Sequence, residues 1–195
     1  EGFGLEQVTD FPKEQGATLK VKSSRSAPRT IHVRVPRWTT EDAQVKINGR
    51  PLEAIADPGS YLALRRVWQN GDTISISLPM ELRQEMLPGD DSIHAALYAP
   101  LVLAAELGAG PPDGPMRIIH GRPTEPKELP QPASLPKVAA NAAADAKQWI
   151  QVESRSELRF TAAGDGNKYE LMPMYQIGDQ KYSVYWQMEN AKAQS

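Results

Sequence analysis

The chain has 195 residues, a formal net charge of −2 and no cysteine. This length allows one large or two small domains. Acidic and basic residues are well mixed, without the basic stripe of a nucleic-acid-binding protein, and no apolar run approaches the roughly eighteen residues that cross a bilayer. We therefore expect neither a nucleic-acid nor a membrane partner. The absence of cysteine excludes disulfides and thiolate metal sites.

The first residues, Glu1-Gly2-Phe3, contain neither an initiator Met nor a basic-then-apolar signal region. We therefore expect either that a signal has been removed or that the chain is an excised segment. The sequence leaves the compartment of this chain open. For a longer parent protein, a periplasmic or extracellular location is favoured.

Residues 17 to 106 alternate apolar and polar side chains with a period of two, which is typical of half-buried strands. Ile31, Val33 and Val35 face one way, whereas His32 and Arg34 face the other. The same alternation recurs in the segments 45–47, 61–65 and 74–78. This part of the chain is therefore predicted to form several short strands and no long helix.

Turn signals separate these strand segments. Asn48-Gly49 is a strong hairpin signal, and Asn70-Gly71 joins two further strand segments at a tight turn. In Asp57-Pro58-Gly59, proline fixes one φ angle and glycine tolerates a positive one. Many short strands with regular turns predict an all-β protein, an antiparallel β-sandwich of jelly-roll or immunoglobulin-like type in two packed units.

The composition changes after residue 106. Eight of the seventeen prolines fall between residues 107 and 146, which predicts extended, turn-rich chain in this segment. Strand signals return after Trp149. We therefore predict a first β-sandwich over residues 1–106, a proline- and alanine-rich connection over 107–146, and a second, smaller β unit over 147–195.

Catalytic and metal-binding candidates carry weak signals. The three histidines are His32, His94 and His120, and their spacing does not suit a shared metal ion. A glycosidase needs two carboxylates on opposite sides of the scissile bond, and the candidates Glu81, Glu85, Asp90 and Asp91 lie at strand ends and in a turn. We interpret these charges as solvated loop residues, and we predict neither a cofactor nor a stoichiometric zinc ion.

The tryptophans offer a second type of site, because sugar-binding modules stack sugar rings on exposed aromatic side chains. Trp38, Trp68 and Trp149 are candidate sugar-stacking or interface aromatics, and packing in the core is the competing interpretation. In the segment from Tyr182 to Gln187, alternation predicts that Tyr182 and Trp186 are buried together, with Tyr185 on the opposite face.

Several motifs, taken in their order along the chain, resemble the region behind the catalytic barrel of glycoside hydrolase family 127, the β-L-arabinofuranosidase-like enzymes. They are "QVTDFP", "RVPRW", "INGRPL", "YLALRRVWQNGD", "ISLPMELR", "AALYAPLVLA" and "LMPMYQIGDQKYSVYW". Each motif alone is weak, but their fixed order over nearly the whole chain is specific. The family often has glycine where this chain has Ala99.

The resemblance implies an architecture and a sugar context. Full-length members place an (α/α)6 barrel before this region and hydrolyse furanosidic arabinose linkages, with a zinc-bound cysteine nucleophile and a glutamate acid/base. None of these catalytic residues has a counterpart here, because the chain has no cysteine and a thiolate is both the nucleophile and the metal ligand. The resemblance therefore implies a non-catalytic accessory region, with the barrel of the same parent chain as its partner and a plant-type oligo- or polysaccharide as a further candidate.

Two other functions stay open: a self-sufficient carbohydrate-binding module, and an enzyme that acts through carboxylates on the sandwich. An accessory region should carry an apolar surface for the barrel. Its candidate contributors are Phe3, Leu5, Phe11, Met116, Ile118 and Ile119. A self-sufficient module should instead combine a polar surface with one aromatic sugar platform.

Overall fold

The structure, a computed structural model, describes residues 2–53, 55–109, 135–140 and 145–189. These residues form sixteen strands and two single turns of 3₁₀ helix, and no α-helix lies among them. The predicted all-β fold is confirmed. In the part of the chain that is described, no helix is long and apolar enough to span a bilayer. The chain divides into two compact units, Glu1–Glu81 and Leu82–Ser195.

The first unit contains seven strands in two sheets. The strands are β1 (Phe3–Val8), β2 (Gly16–Ser23), β3 (Ala27–Val35), β4 (Gln44–Ile47), β5 (Arg50–Pro51), β6 (Ser60–Trp68) and β7 (Thr73–Ser77). One antiparallel sheet has the order β1-β2-β7-β4-β5, and the other consists of β3 and β6 alone.

The core of this unit lies between its two sheets. Val21 and Ile74 come from the five-stranded sheet, whereas Ile31, Leu64 and Trp68 come from the β3–β6 pair. The alternation predicted for residues 31–35 of β3 and 61–65 of β6 is confirmed, since buried or half-buried side chains there alternate with exposed ones. It is interrupted at Arg29 and Arg66, which are exposed in phase with the buried residues. The arrangement of the two sheets is that of a β-sandwich, in which inner faces interlock and outer faces meet solvent.

The predicted turns are present in the first unit. Asn48 and Gly49 have φ angles of 50° and 78°, and they join β4 to β5 as a hairpin. Two positive φ angles are the signature of a type I′ turn, which suits strand twist. At Gly59 the φ angle is 88°, and the Ser60 N–H donates to the Asp57 carbonyl at 3.1 Å.

The second unit contains the other nine strands. They are β8 (Leu82–Leu87), β9 (Asp90–Tyr98), β10 (Leu101–Glu106), β11 (Lys137–Val138), β12 (Ile150–Ser154), β13 (Arg159–Gly164), β14 (Asn167–Pro173), β15 (Tyr182–Ser183) and β16 (Tyr185–Met188). Each pairing between these strands is antiparallel, except that β11 pairs with β16 in parallel. Strand β16 pairs antiparallel with β9 on its other side.

Strand β10 connects the two halves of this second sheet. Its first two residues pair with β9, and its next three pair with β14. Tyr98 on β9 and Phe160 on β13 meet with ring centroids 5.0 Å apart, and both are buried. The strands after Trp149 therefore share one core with β9 and β10, within the second unit.

This arrangement differs from the predicted boundary at residue 106. Strands β8, β9 and β10 were expected in the first sandwich, but they pair within the second unit. Period-two alternation identifies a strand but carries no information about its partner, so the sequence could not place them. The predicted connection 107–146 is described only in part, and it includes β11. Met116, Ile118, Ile119 and His120 lie outside the described residues.

The predicted burial of Tyr182 is wrong, whereas that of Trp186 is confirmed. Trp186 is fully buried, and Tyr182 is 43% exposed, as is Tyr185 at 39%. The alternation shifts phase at Val184, because Tyr182 and Ser183 pair with β10 whereas Tyr185 begins a separate strand that pairs with β9. Ser183 is buried in place of Tyr182.

Candidate functional site

The candidate carboxylates lie at exposed positions. Glu81 is the last residue of the first unit, and Glu85 on β8 forms an ion pair with Arg83. Asp90 accepts hydrogen bonds from the backbone N–H of Ser92 at 3.0 Å and from its hydroxyl at 2.6 Å. Asp91 is exposed at the start of β9. All four carboxylates are therefore exposed, with Glu85 on strand β8 and Asp90 and Asp91 at the start of β9.

Three carboxylates in the described part of the chain have a shifted pKa, and in each of them the pKa is lowered, which favours the ionised form. The Ser92 hydroxyl lowers the pKa of Asp90 below its ordinary value. The Thr161 hydroxyl, 2.8 Å from Glu153, lowers the pKa of that carboxyl, and Lys168 contributes in the same direction. The Gln69 backbone N–H lowers the pKa of Asp72. A glycosidase general acid needs a raised pKa, so these groups are poorly suited to that role.

The two described histidines, His32 and His94, belong to different units. His32 is exposed on β3. His94 is buried on β9, with Nε2 3.0 Å from the carbonyl oxygen of Asp91. Among the described residues, no three His, Cys, Asp or Glu side chains are placed to hold a metal ion. Together with the lack of cysteine, this means that the residues do not fit the zinc centre that the resemblance assigns to the barrel.

Trp68 and Trp149 are both buried side chains. Trp68 ends β6 inside the first core, and its Nε1 donates to the carbonyl oxygen of Arg29 at 3.2 Å. In the second unit, the Nε1 of Trp149 donates to Gln84 at 2.9 Å, and its ring packs edge-on against Trp186, with centroids 5.1 Å apart. Stacking on a sugar needs an accessible ring face, so both positions favour the core interpretation.

Trp38 is the exception among the three candidates. It is half-buried in the turn after β3 and stacks on Phe11, with ring centroids 6.0 Å apart and planes inclined by 30°. Phe11 is itself 38% exposed. The sequence indicated each residue separately but not their contact, because they lie 27 positions apart and no local pattern connects them.

The turn that carries Phe11 is held by its own backbone and by Thr9. The Phe11 N–H donates to the Thr9 hydroxyl at 3.0 Å, and that hydroxyl donates to the carbonyl of Gly16 at 2.7 Å. The N–H groups of Lys13 and Glu14 both donate to the Asp10 carbonyl. The turn therefore fixes the aromatic pair beside β1 and β2.

Exposed apolar side chains continue from this turn along β1. Leu5 is 45% exposed and Val8 is 50% exposed, and β1 is the outer strand of its sheet. Leu5 and Val8 are three residues apart and therefore point to opposite faces of this edge strand. We call Leu5, Val8 and Phe11, which together flank the edge, the β1 edge surface. Phe3, which was expected to belong to it, is half-buried and packs against the core of its own unit. Val8 was missed because it directly precedes the polar residues of the turn.

A groove of about 460 Å³ with a mixed polar and apolar lining adjoins this surface. It lies between the turn and strands β2 and β7, and its lining includes Asp10, Glu14, Thr18 and Ser77. No aromatic side chain lines it. The groove can accept hydrogen bonds but offers no ring on which a sugar could stack.

Comparison with known families identifies the first unit. Residues 1–80 match the family described as "Beta-L-arabinofuranosidase, GH127 middle domain". This part of the chain is a GH127 middle domain. The predicted relation to family 127 is thereby confirmed, and the matched range ends within one residue of the boundary between the two compact units.

Solved structures share the fold over nearly the whole chain. A protein titled "Glycoside hydrolase" matches with a TM-score of 0.63 and 15% identity over 96% of this chain and 32% of its own. Ara127N-Se, a GH127 beta-L-arabinofuranosidase from Geobacillus Stearothermophilus T6, matches with a TM-score of 0.61 and 16% identity over 95% of this chain and 30% of its own.

A third structure, the GH127 beta-arabinofuranosidase BT3674, matches with a TM-score of 0.60 and 19% identity over 96% of this chain and 32% of its own. At these identities the likeness concerns the fold. The chain spans about a third of the length of these solved structures. Comparison with curated proteins gives no match.

Proposed function

We propose that this chain is a non-catalytic accessory β-sandwich region of a family 127-like glycoside hydrolase, which packs on an (α/α)6 catalytic barrel and supports it. The observation that carries the proposal is the match of residues 1–80 to the GH127 middle domain. The likeness of the remaining chain to the same hydrolases agrees with it.

The β1 edge surface supports a docking role for the first unit. Five of the six residues of β1 are exposed, and the strand pairs with β2 on one side only. Exposed apolar side chains on an outer strand are a liability unless another element covers them. A neighbouring domain of the parent chain would bury Leu5, Val8 and Phe11 and would remove that liability.

A self-sufficient carbohydrate-binding module is the alternative, and one observation favours it. The half-buried Trp38 and the partly exposed Phe11 form a stacked pair that could present an aromatic face to a sugar. An accessory region would bury this pair against the barrel, whereas a binding module would use it while isolated.

Titration with a separately expressed barrel from a matching parent distinguishes these functions. The Val8→Glu and Leu5→Glu variants should bind the barrel at least tenfold more weakly than wild type. The control is Val152→Glu, which places the same change at a partly exposed valine of the second unit and should bind normally. An isolated chain that has no affinity for the barrel and binds neutral sugar through Phe11 would overturn the accessory role.

A hydrolysis assay tests the non-catalytic part of the proposal. The purified chain should not turn over arabinofuranosides, because it has no cysteine that could act as the nucleophile or hold the zinc ion. Turnover that survives purification and is abolished by a single substitution of a carboxylate would contradict the proposal.

A further inference from the structure

The β3–β6 ribbon has an unusual charge composition. The two strands pair along nine residue positions. They hold Arg29, Arg34, Arg65 and Arg66, together with His32, and none of the 24 acidic residues of a chain whose net charge is −2. Protein surfaces normally intersperse both signs, so this sheet concentrates positive charge in one place.

Three of these arginines surround one hollow at an end of the ribbon. The hollow measures about 640 Å³, and its lining is Pro28, Arg29, Thr30, Arg65, Arg66 and Val67. No carboxylate lines it. Arg29 and Arg66 are direct cross-strand neighbours, an arrangement that like charges destabilise. A bound anion would relieve this repulsion.

Cation–π contacts hold two of the guanidinium groups. Arg29 lies 5.6 Å from the ring centre of Phe3, and Arg66 lies 5.1 Å from that of Trp68. Arg66 also interacts electrostatically with Asp72. The Asp72 carboxylate already accepts hydrogen bonds from Gln69 and Asn48. The positions of Arg29 and Arg66 are thus set by aromatic side chains of the same unit, on the face of the ribbon that also carries Ile31 and Leu64.

The outer face of the ribbon extends the positive charge away from the hollow. Successive cross-strand pairs on this face are Thr30 with Arg65, His32 with Ala63, and Arg34 with Tyr61. All six side chains are exposed, and Tyr61 is 59% exposed. Within the described part of the chain, none of these arginines forms a salt bridge with a carboxylate. On this face Tyr61 lies opposite Arg34 and two residues along the strand from Ala63.

We propose that the outer face of the β3–β6 ribbon binds an extended anionic saccharide whose carboxylates are recognised by Arg34 and Arg65, and whose sugar ring stacks on Tyr61. Guanidinium groups pair with carboxylates in bidentate geometry. An aromatic ring presents a flat apolar surface to the C–H face of a pyranose. This binding would not depend on packing against a barrel, and so it goes beyond the accessory role.

The shape of the face favours a linear polymer over a folded protein partner. Nine strand residues extend about 30 Å at roughly 3.4 Å per residue, and the two strands lie about 5 Å apart. A stable protein interface needs about 800 Å² on each partner, which is more than so narrow a stripe supplies. A linear saccharide has the matching length and width.

Calorimetric titration of the whole chain with a linear oligogalacturonate tests this proposal, with a neutral arabino-oligosaccharide as the uncharged comparison. We expect only the acidic saccharide to bind, and we expect its affinity to fall as the salt concentration rises, because salt screens the charges. Arg34→Gln, Arg65→Gln and Tyr61→Ala should each weaken binding about tenfold or more, a loss typical of charge-assisted contacts. Arg155→Gln, at an exposed turn of the second unit, should bind as wild type does.

The outcomes that would overturn the proposal are distinct. They are an absence of oligogalacturonate binding, equal binding by the Arg65→Gln and Arg155→Gln variants, or equally tight binding of single-stranded DNA or dextran sulfate that is insensitive to Tyr61→Ala. Circular dichroism of each variant checks that the fold is intact, and Arg34, Arg65 and Tyr61 are suitable sites because their side chains are exposed.

Discussion

The side-chain amide of Asn48 donates a 2.8 Å hydrogen bond to the carboxylate of Asp72. Asn48 begins the type I′ turn between β4 and β5, and Asp72 follows the Asn70-Gly71 turn after β6. The other carboxylate oxygen of Asp72 accepts from the Gln69 N–H at 2.9 Å, and Asn48 Oδ1 accepts from the Thr73 N–H at 2.8 Å. Two turns are thereby tied together by their side chains.

Replacing Asp72 by Asn should lower the free energy of unfolding at pH 7 by about 1 kcal/mol, because charge-assisted hydrogen bonds at a partly exposed site are lost. The Gln69 N–H lowers the pKa of Asp72 in the folded state. Such a carboxylate stabilises the fold fully above its unfolded pKa of about 3.9 and loses that contribution as the pH falls through the folded pKa. The difference between wild type and variant should therefore shrink as the pH falls below about 4.

Urea denaturation at pH 7 and at pH 3 measures this difference. Asp42→Asn is the control, because Asp42 is an exposed turn residue, and it should change stability little at either pH. An Asp72→Asn loss of equal size at both pH values would show that the carboxylate charge is not responsible.

Ala99 occupies a position that favours glycine. Its φ angle is 48° in the turn between β9 and β10, and it is buried. The left-handed region costs a residue with a Cβ about 1–2 kcal/mol, and glycine avoids this cost at some expense in unfolded-state entropy. Ala99→Gly should therefore stabilise the chain by roughly 0.5–1 kcal/mol in thermal or urea unfolding. Ala96→Gly, within β9, should destabilise it, and equal effects of the two changes would contradict the argument.

Trp186 should be far more important for stability than Tyr182. Trp186 is fully buried and packs edge-on against Trp149 and Tyr169, so Trp186→Ala should cost about 3–5 kcal/mol. Tyr182→Ala removes a partly exposed ring and should cost less than about 1 kcal/mol. Urea unfolding monitored by far-ultraviolet circular dichroism compares both variants with wild type. Similar losses would mean that the alternation predicted from the sequence holds in solution.

Local patterns predicted the strands and turns of this protein but not the partners of the strands. Asn48-Gly49 and Asn70-Gly71 have the same signature, yet the first closes a hairpin between β4 and β5. The second joins β6 to β7, which lie in different sheets. Which outcome occurs depends on long-range packing, and no short segment encodes that packing.

The candidate site shows the same limit. The sequence identified Trp38, Trp68 and Trp149 as one class of aromatic residue, and the structure buries Trp68 and Trp149 while leaving Trp38 half-buried against Phe11. The absence of acidic residues from β3 and β6 is visible in the sequence, although the even mix of charges over the whole chain led us to expect no basic stripe. The pairing of these strands, which brings the arginines together, could not be predicted.

Gly16 and Gly4 provide a matched pair of strand glycines in the first unit. A Cβ at Gly16 would collide with the backbone carbonyl of Ile76, whereas a Cβ at Gly4 would meet nothing within 4 Å. Gly16→Ala should therefore destabilise the chain by about 1–3 kcal/mol, and Gly4→Ala should be neutral or slightly stabilising. Melting temperatures of the two variants test this, and an unchanged Gly16→Ala protein would show that β2 and β7 are less closely packed than described.

The boundary between the two units gives the last prediction. A fragment of residues 1–81 contains both sheets of the first unit and its core, so it should unfold cooperatively on its own. A fragment of residues 1–106 adds β8, β9 and β10 without β14 and β16, which pair with them in the whole chain. Buried side chains such as Leu97 and Leu103 would then be exposed beside unpaired strand edges, which favours aggregation. Light scattering and thermal unfolding should show that the shorter fragment aggregates less than the longer one. A cooperative, monomeric 1–106 fragment beside an unfolded 1–81 fragment would instead support the boundary that the sequence predicted.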